Sequence, residues 1–210
     1  HIFLNQKGGE VFELTEQDSL IRIDNSDIKN FLIGSSVFIK NDTLMRHGGY
    51  GYWTQSNFFT YLDKSTKEWE IYPISLTSKK ATTVGNHFGI NTGKFFYFFG
   101  GFHVTHLGTR NEVPNNEVWS FNFQSKNWNF LGILKADFSD RDFKSFTDGK
   151  HNYILDGRNT LFKVNVEQNI LTEYKINPVL HLFQSNIDPV LFNDQLYYIN
   201  KSNILKKVAL

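Results

Sequence analysis

Residues 95–101 have the sequence FFYFFGG, an apolar aromatic run that ends in two consecutive glycines. A short aromatic run bounded by glycine predicts a β-strand. Asn122 follows in the same segment, six residues before Trp128. This segment decides the fold because the chain contains a second copy of it.

The second copy begins at residues 43–49, which have the sequence TLMRHGG. It continues with Asp63, which again lies six residues before a tryptophan, Trp69. A self-match with a period of roughly 50 residues indicates a repeat architecture in which each repeat forms one small structural unit.

The pattern resembles the kelch repeat, in which a hydrophobic strand, Gly-Gly, an aromatic–Asp pair and a Trp recur. Two repeats are clear and three others are degenerate. The resemblance implies an all-β fold, a β-propeller of about five four-stranded blades in a single domain over residues 1–210. The blades are expected at about residues 1–24 (partial), 35–74, 86–132, 142–177 and 185–210 (partial). An unrelated β-sandwich with two chance Gly-Gly pairs is the alternative fold.

The repeat residues have expected structural roles. Glycine lets backbone pass close to the neighbouring blade, and a buried tryptophan fills the space between adjacent blades. Arg46 and His47 precede the first Gly-Gly pair, where strand alternation turns one of them inward, and we expect a structural role for them. The other residues with an expected structural role are Gly48, Gly49, Trp69, Gly100, Gly101 and Trp128.

The two ends of the chain do not complete one blade. With strands named a to d from the inside of each blade outward, the chain starts at strand b and stops at strand c. Either one strand lacks a recognisable pattern or the chain is a fragment of a larger propeller. The first residue, His1 rather than Met, favours a fragment.

Composition excludes several classes of function. A formal net charge of +1 provides no basic face for nucleic acid, and no apolar run approaches the roughly 20 residues of a membrane helix. A cysteine count of 0 rules out disulfides, thiolate metal sites and cysteine nucleophiles. We therefore expect no nucleic-acid partner and no membrane insertion of this segment.

Long connections are expected together on one face of the propeller. Because successive strands alternate in direction, the b–c and d–a connections emerge on the same side, at residues 50–56, 102–116, 133–141 and 178–184. Loops on a rigid scaffold are where binding residues concentrate. The candidate binding residues are Tyr50, Tyr52, Trp53, His103, His106, Arg110, Glu112 and Arg141.

Some of these side chains suggest a ligand. Tyr50, Tyr52 and Trp53 could stack on a sugar ring or a peptide, or fold onto the rim of the propeller itself. Arg141 could pair with a carboxylate of a ligand near the axis, or with the aspartates beside it.

A metal site is a further possibility that the sequence disfavours. His103 and His106 offer two imidazoles, and Glu112 could be a third ligand. Short-range histidine pairs are common and no cysteine supports this set, so a solvated loop is the preferred interpretation. We expect no metal and no cofactor, and a chelator should leave the melting temperature unchanged.

The short motifs of known propeller enzymes are missing from the sequence. The Tyr–Cys crosslink of kelch-type copper oxidases needs a cysteine, and neither the sialidase-type turn nor an arginine triad is visible. Gly-x-Ser-x-Gly and His-Glu-x-x-His are also missing. A sugar-acid epimerase or a glycoside hydrolase need leave no short motif. A carbohydrate-acting enzyme that uses His103, Arg110 or Arg141 is therefore the alternative function.

The sequence predicts a non-enzymatic module that binds a protein, a small molecule or a carbohydrate. Its Asn- and Lys-rich texture and degenerate repeats resemble bacterial multidomain signalling and surface proteins, in which such a module would act as a sensor. This resemblance favours a periplasmic or cell-surface location.

Overall fold

The fold consists of antiparallel β-sheets. The computed structural model describes residues 2–5, 9–14, 19–26, 32–51, 54–104, 112–133, 144–147, 151–155, 160–165, 170–175, 190–192, 195–199 and 205–209. These residues form strands, turns and bends without a helix, so the all-β prediction is confirmed. Within them we find no helical segment with the length and hydropathy of a membrane span.

The chain divides into two compact units, His1–Ser139 and Asp140–Leu210. The first unit contains three antiparallel sheets. Sheet I has the strand order β1 (Ile2–Asn5), β2 (Val11–Leu14), β3 (Leu20–Arg22). Sheet II has the order β4 (Ser36–Lys40), β5 (Thr43–His47), β8 (Phe59–Leu62), β9 (Trp69–Ile71). Sheet III has the order β10 (Phe88–Asn91), β11 (Phe95–Phe99), β14 (Glu117–Asn122), β15 (Asn127–Ile133).

Sheets II and III each contain one short two-stranded ribbon, which is inserted in the chain between the second and third strands of that sheet. The first ribbon pairs β6 (Tyr50–Gly51) with β7 (Thr54–Gln55). The second ribbon pairs β12 (Phe102–Val104) with β13 (Glu112–Pro114). The connections expected as plain loops at residues 50–56 and 102–116 therefore contain paired strands.

The second unit contains two antiparallel sheets. Sheet IV has the order β16 (Lys144–Thr147), β17 (Asn152–Leu155), β18 (Thr160–Asn165), β19 (Ile170–Lys175). Sheet V has the order β20 (Val190–Phe192), β21 (Gln195–Ile199), β22 (Leu205–Ala209). Sheets I to V span residues 2–22, 36–71, 88–133, 144–175 and 190–209, and among the described residues the first and last sheets have three strands and the others four.

The Asp or Asn that precedes each repeat tryptophan by six residues forms the turn between the last two strands of its sheet. The side chain of Asp63 accepts hydrogen bonds from the amides two and three residues later, at 2.8 and 2.9 Å. Asn122 does the same at 2.9 and 3.2 Å. Lys67 and Lys126 occupy matching positions in these turns, with φ values of 62° and 56°. The repeat therefore includes the backbone conformation of the turn.

The larger hydrophobic cluster lies between sheets II and III. Trp128 is only 2% exposed, and its ring stacks on Phe59 with a centroid distance of 5.4 Å. The buried members of the cluster are Phe38, Met45, Phe59, Ala81, Val84, Phe96, Phe98, Trp119, Phe121, Phe123 and Trp128. Most of them are aromatic, so this junction is filled largely by rings.

A smaller cluster joins sheets I and II. Its buried members are Val11, Leu44, Leu62 and Trp69, with Ile23 packed against them. The indole nitrogen of Trp69 donates a hydrogen bond to the carbonyl of Gly9, at 2.7 Å. Each repeat tryptophan is therefore buried where one sheet meets the next.

Glycine is required at two points where backbone segments approach closely. Gly48 has a φ of +65°, and a Cβ there would lie 2.7 Å from the His87 ring and 2.8 Å from the carbonyl oxygen of Val84. Gly101 has a φ of +74°, and a Cβ there would overlap the carbonyl oxygen of Gly85. A side chain at either position would push two backbone segments apart.

Candidate functional site

The two ribbons occupy the same place in successive sheets. Each follows a Gly-Gly pair and connects the second strand of its sheet to the third. Ile33 and Tyr50 exchange two backbone hydrogen bonds of 2.9 and 2.8 Å at the first ribbon. Gly85 and Phe102 exchange two of 3.0 Å at the second. Because a segment just before each sheet pairs with its ribbon, both ribbons are fixed to the scaffold.

A single side chain links one ribbon to the other. Gln55, on β7, donates from Nε2 to the carbonyl of Phe102 at 3.0 Å. Its Oε1 accepts a hydrogen bond from the amide of Val104 at 2.7 Å. The Gln55 amide thus pairs with β12 much as a neighbouring strand would. It joins the two ribbons into one surface, formed by β6, β7, β12 and β13, which is called the ribbon face below.

The backbone of Val84 holds the two ends of the first ribbon through hydrogen bonds to Gly49 and Ser56. Its carbonyl accepts a hydrogen bond from Gly49 at 2.8 Å, and its amide donates to Ser56 at 3.2 Å. Val84 is itself fully buried between sheets II and III. The ribbon face is therefore anchored directly on the aromatic cluster.

A buried pair of histidines lies beneath the Gly-Gly pair of sheet II. Nδ1 of His47 and Nε2 of His87 are 2.9 Å apart, so one ring donates a hydrogen bond to the other. Burial, and next the neighbouring His87, lower the pKa of His47 well below its ordinary value, while a backbone hydrogen bond with Asn57 opposes the shift. Burial lowers the pKa of His87 to about 3. Both rings are therefore neutral at neutral pH.

A buried cation lies on the opposite face of β5. The guanidinium of Arg46 is 3.6 Å from the centroid of the Trp69 ring, and its Nε donates to the Thr60 hydroxyl at 3.2 Å. Burial lowers the pKa of Arg46 to about 9, and the carboxylate of Asp24 opposes that shift. Arg46 and His47 are both buried because sheet II is covered on both sides.

The structure describes three of the predicted binding residues. Tyr50 lies on β6, His103 on β12 and Glu112 on β13, so all three belong to the ribbon face. The others fall outside the described residues, namely Tyr52, Trp53, His106, Arg110 and Arg141.

The register of the second ribbon separates two of the candidate metal ligands. His103 is opposite Val113, and Glu112 is opposite Val104. Since successive residues of a strand point to opposite faces, His103 and Glu112 point away from each other. They are not arranged to share one ligand. Over the described ranges, no group of three His, Cys, Asp or Glu residues is placed to hold a metal ion.

The described part of the ribbon face offers mixed side chains on a fixed backbone. It combines the aromatic ring of Tyr50, the imidazole of His103 and the aliphatic Val113, which is 39% exposed. Aromatic and aliphatic groups with nearby polar atoms are suited to contact with a protein or a sugar. The two ribbons hold these groups on a backbone that is already hydrogen-bonded to the sheets.

Two residues that build the site carry no signal in the sequence. Gln55 lies in the segment expected as a loop, and no motif marks an amide that will pair with another ribbon. His87 corresponds to Ser35 in the preceding repeat, so comparison of the repeats does not reveal it. The shared pattern of the two repeats contains no signal for a residue that differs between them.

Comparisons with known proteins bear on the fold. No family model matches the sequence, and a search of curated proteins finds no match. Among solved structures, the chain is similar to one described as "Structure of YjhT", with a TM-score of 0.62 and 13% identity. The alignment covers 90% of this chain and 65% of that chain, so this chain spans less than two thirds of its length. At this identity the likeness concerns the fold alone.

Proposed function

We propose that this chain is a kelch-like β-propeller module of about five blades that binds a partner through the ribbon face. Support for the propeller comes from the consecutive order of the strands in each sheet and from the tryptophans buried where sheets meet. The close backbone approach at Gly48 and Gly101 supports it too.

The Gln55 link between the ribbons is the observation that carries the binding proposal. An isolated loop would have to be ordered when a partner binds, which costs conformational entropy. Here the ribbons of two sheets are already held together at 2.7 and 3.0 Å. A surface prepared in this way suits recognition without bond chemistry.

The partner we propose is a protein segment or a carbohydrate, bound by a sensor module of a larger bacterial protein outside the cytoplasm. The aromatic Tyr50 and the exposed Val113 support a partner with apolar or sugar surfaces. The formal net charge of +1 provides no strong field for a polyanion.

The experiment is selection of ligands on the immobilised chain from a peptide library and a glycan array. The affinity of each selected ligand is then measured for the unchanged chain and for the Val113→Arg variant, which places a long charged side chain on β13. Gln124→Arg is the matched control, because Gln124 is exposed in the turn at the opposite end of sheet III. We expect at least tenfold weaker binding for Val113→Arg and unchanged binding for the control.

Equal binding by the two variants would place the partner elsewhere and overturn the proposal. The enzyme alternative is tested by incubating the chain with sugar acids and oligosaccharides and following the products by NMR. Turnover that disappears in Val113→Arg would replace the binding module with a carbohydrate-acting enzyme.

A further inference from the structure

A cleft of about 560 Å³ opens between sheets I and II, at the end where the tight turns of sheet II lie. Its lining includes Asp42 from the β4–β5 turn, Thr43 at the start of β5, and Lys64 and Lys67 from the β8–β9 turn. This end of the sheet is opposite the ribbon face, so the cleft is separate from the proposed binding surface.

The same position between sheets II and III is filled, and the two junctions can be compared residue by residue. The amide of Tyr72 bonds to the carbonyl of Phe59 at 2.9 Å, and the amide of Ile23 bonds to the carbonyl of Val11 at 2.9 Å. Ile23 therefore takes the place of Tyr72, and Val11 the place of Phe59.

The remaining equivalences follow from the repeat, with Trp69 aligned on Trp128. The residues that fill the II–III junction are aromatic, whereas their counterparts at the I–II junction are aliphatic or polar. The pairs are Phe59 and Val11, Tyr72 and Ile23, Phe96 and Leu44, Phe121 and Leu62, and Phe123 and Lys64. Each exchange removes a ring, and together they leave the space that forms the cleft.

The most informative pair is Phe123 and Lys64. The buried Phe123 ring packs against Phe59 at 5.6 Å, Tyr72 at 5.9 Å and Phe121 at 5.3 Å. Lys64 is exposed and lines the cleft without filling the space that the Phe123 ring fills in the other junction. The I–II junction lacks the ring that closes the II–III junction.

Charged groups around the cleft suit an incoming ring. In the II–III junction the ammonium group of Lys40 lies 4.5 Å from the centroid of the Phe123 ring, and that of Lys126 lies 5.7 Å from the centroid of the Tyr72 ring, so both rings there make cation–π contacts. Lys67 is the counterpart of Lys126 and lines the cleft. Glu13 and Asp42 add carboxylates at the rim, which can accept hydrogen bonds from a ring substituent such as an indole N–H.

We propose that this cleft binds a planar aromatic ring that carries a hydrogen-bond donor, supplied either by a small aromatic compound or by an aromatic side chain of a peptide. The ring occupies the space that Phe123 fills in the next junction. Apolar contact with Ile23, Ile39 and the exposed edges of Leu44 and Leu62 stabilises it, and Lys64 and Lys67 line the same cleft.

The test is a methyl-labelled NMR titration of the full chain with N-acetyl-tryptophanamide, with N-acetyl-leucinamide as the matched probe without a ring. We expect ring-current shifts at the methyl groups of Val11, Ile23, Leu44 and Leu62 with the tryptophan probe only. If neither probe moves these methyl groups, or both move them equally, the proposal is wrong.

Two further arms sharpen the result. Lys64→Phe should fill the cleft from within, raise the melting temperature and weaken the tryptophan probe at least tenfold, whereas Lys80→Phe, at an exposed position outside the cleft, should do neither. Undiminished binding in a folded Lys64→Phe variant would overturn the proposal. Free indole that binds as well as an Ala-Ala-Trp-Ala-Ala peptide identifies a small compound as the source, and tighter peptide binding identifies a side chain.

Discussion

Trp128 is buried at the junction of sheets II and III and contacts rings from both sheets. Its indole contacts Phe59, Phe98, Phe121 and His47 at centroid distances of 4.9–5.4 Å. No single smaller side chain can replace contacts in so many directions, so truncation leaves a cavity.

We therefore predict that Trp128→Ala lowers the free energy of unfolding by about 3–5 kcal/mol. Phe130→Ala, two residues along the same strand where the ring is 43% exposed, should cost about 1 kcal/mol or less. Urea unfolding followed by circular dichroism measures both. Similar losses for the two variants would contradict the burial of Trp128 at a junction.

The histidine pair predicts a dependence of stability on pH. Because the pKa values of His47 and His87 are lowered in the folded chain, the unfolded chain binds more protons below about pH 6.5. Stability is therefore complete above that pH and is lost as the pH falls toward the folded pKa of His87, about 3. The loss reaches about 1.4 kcal/mol per pH unit for each histidine.

His87→Gln removes one of the two titrating rings. We predict that the acid-side slope of unfolding free energy between about pH 7 and about pH 5 falls by roughly half in this variant. Urea midpoints at a series of pH values measure it. An unchanged slope would mean that His87 titrates normally in the folded state.

At the scale of elements, the Gly-Gly pairs set how a strand passes into its ribbon. Gly93 offers a matched comparison for Gly101, because its φ of +81° is close to the +74° of Gly101 and a Cβ there would meet no atom within 4 Å. A substitution at either position costs free energy because the backbone is left-handed there. Only at Gly101 would the added Cβ also clash with neighbouring backbone atoms.

We predict that Gly93→Ala costs about 1–2 kcal/mol from the left-handed backbone alone. Gly101→Ala should cost about 1–3 kcal/mol more, because its Cβ would overlap the backbone at Gly85. Thermal and urea unfolding of the two variants give the difference. Equal costs would show that the close approach contributes nothing.

Sequence reasoning at this scale recovers the strands but not the ribbons. The Gly-Gly pairs and the turn at Asp63 repeat, so local chemistry predicts them. Asn41 and Asp42, with φ values of 48° and 56°, form a tight two-residue hairpin turn of the kind that Asn and Asp favour. The ribbons are held by pairing with distant residues such as Ile33 and by the Gln55 side chain, and local patterns carry no information about contacts of that kind.

At the scale of the whole molecule, the tryptophans are distributed unevenly. The chain has 4 tryptophans, at positions 53, 69, 119 and 128, and all of them belong to the unit His1–Ser139. Intrinsic tryptophan fluorescence therefore reports on that unit alone.

We predict that residues 1–139 expressed alone retain the blue-shifted emission of the full chain and a cooperative unfolding transition. Both hydrophobic clusters described above lie inside this unit, which is the physical reason. A red-shifted emission with no transition would mean that the unit needs residues 140–210 to fold.

The fold class was predictable at this scale because hydrophobic periodicity and turn residues determine strands. The arrangement of the sheets as propeller blades stays a prediction that rests on the repeat and on the likeness in fold. The cleft between sheets I and II was not predicted from the sequence. It arises from five positions at which the I–II junction has a smaller or polar residue and the II–III junction has an aromatic one, and these positions can be matched only once the two junctions are compared in space.

The difference between the two junctions also determines which of them separates first under a pulling force. Sheet I is joined to sheet II by a few aliphatic side chains, one indole and the hydrogen bonds of Gly9 and Asn25, whereas a block of interlocking rings joins sheet II to sheet III. Tension applied at the amino end would load the aliphatic joint first, and sheet I would peel away while sheets II and III stayed together.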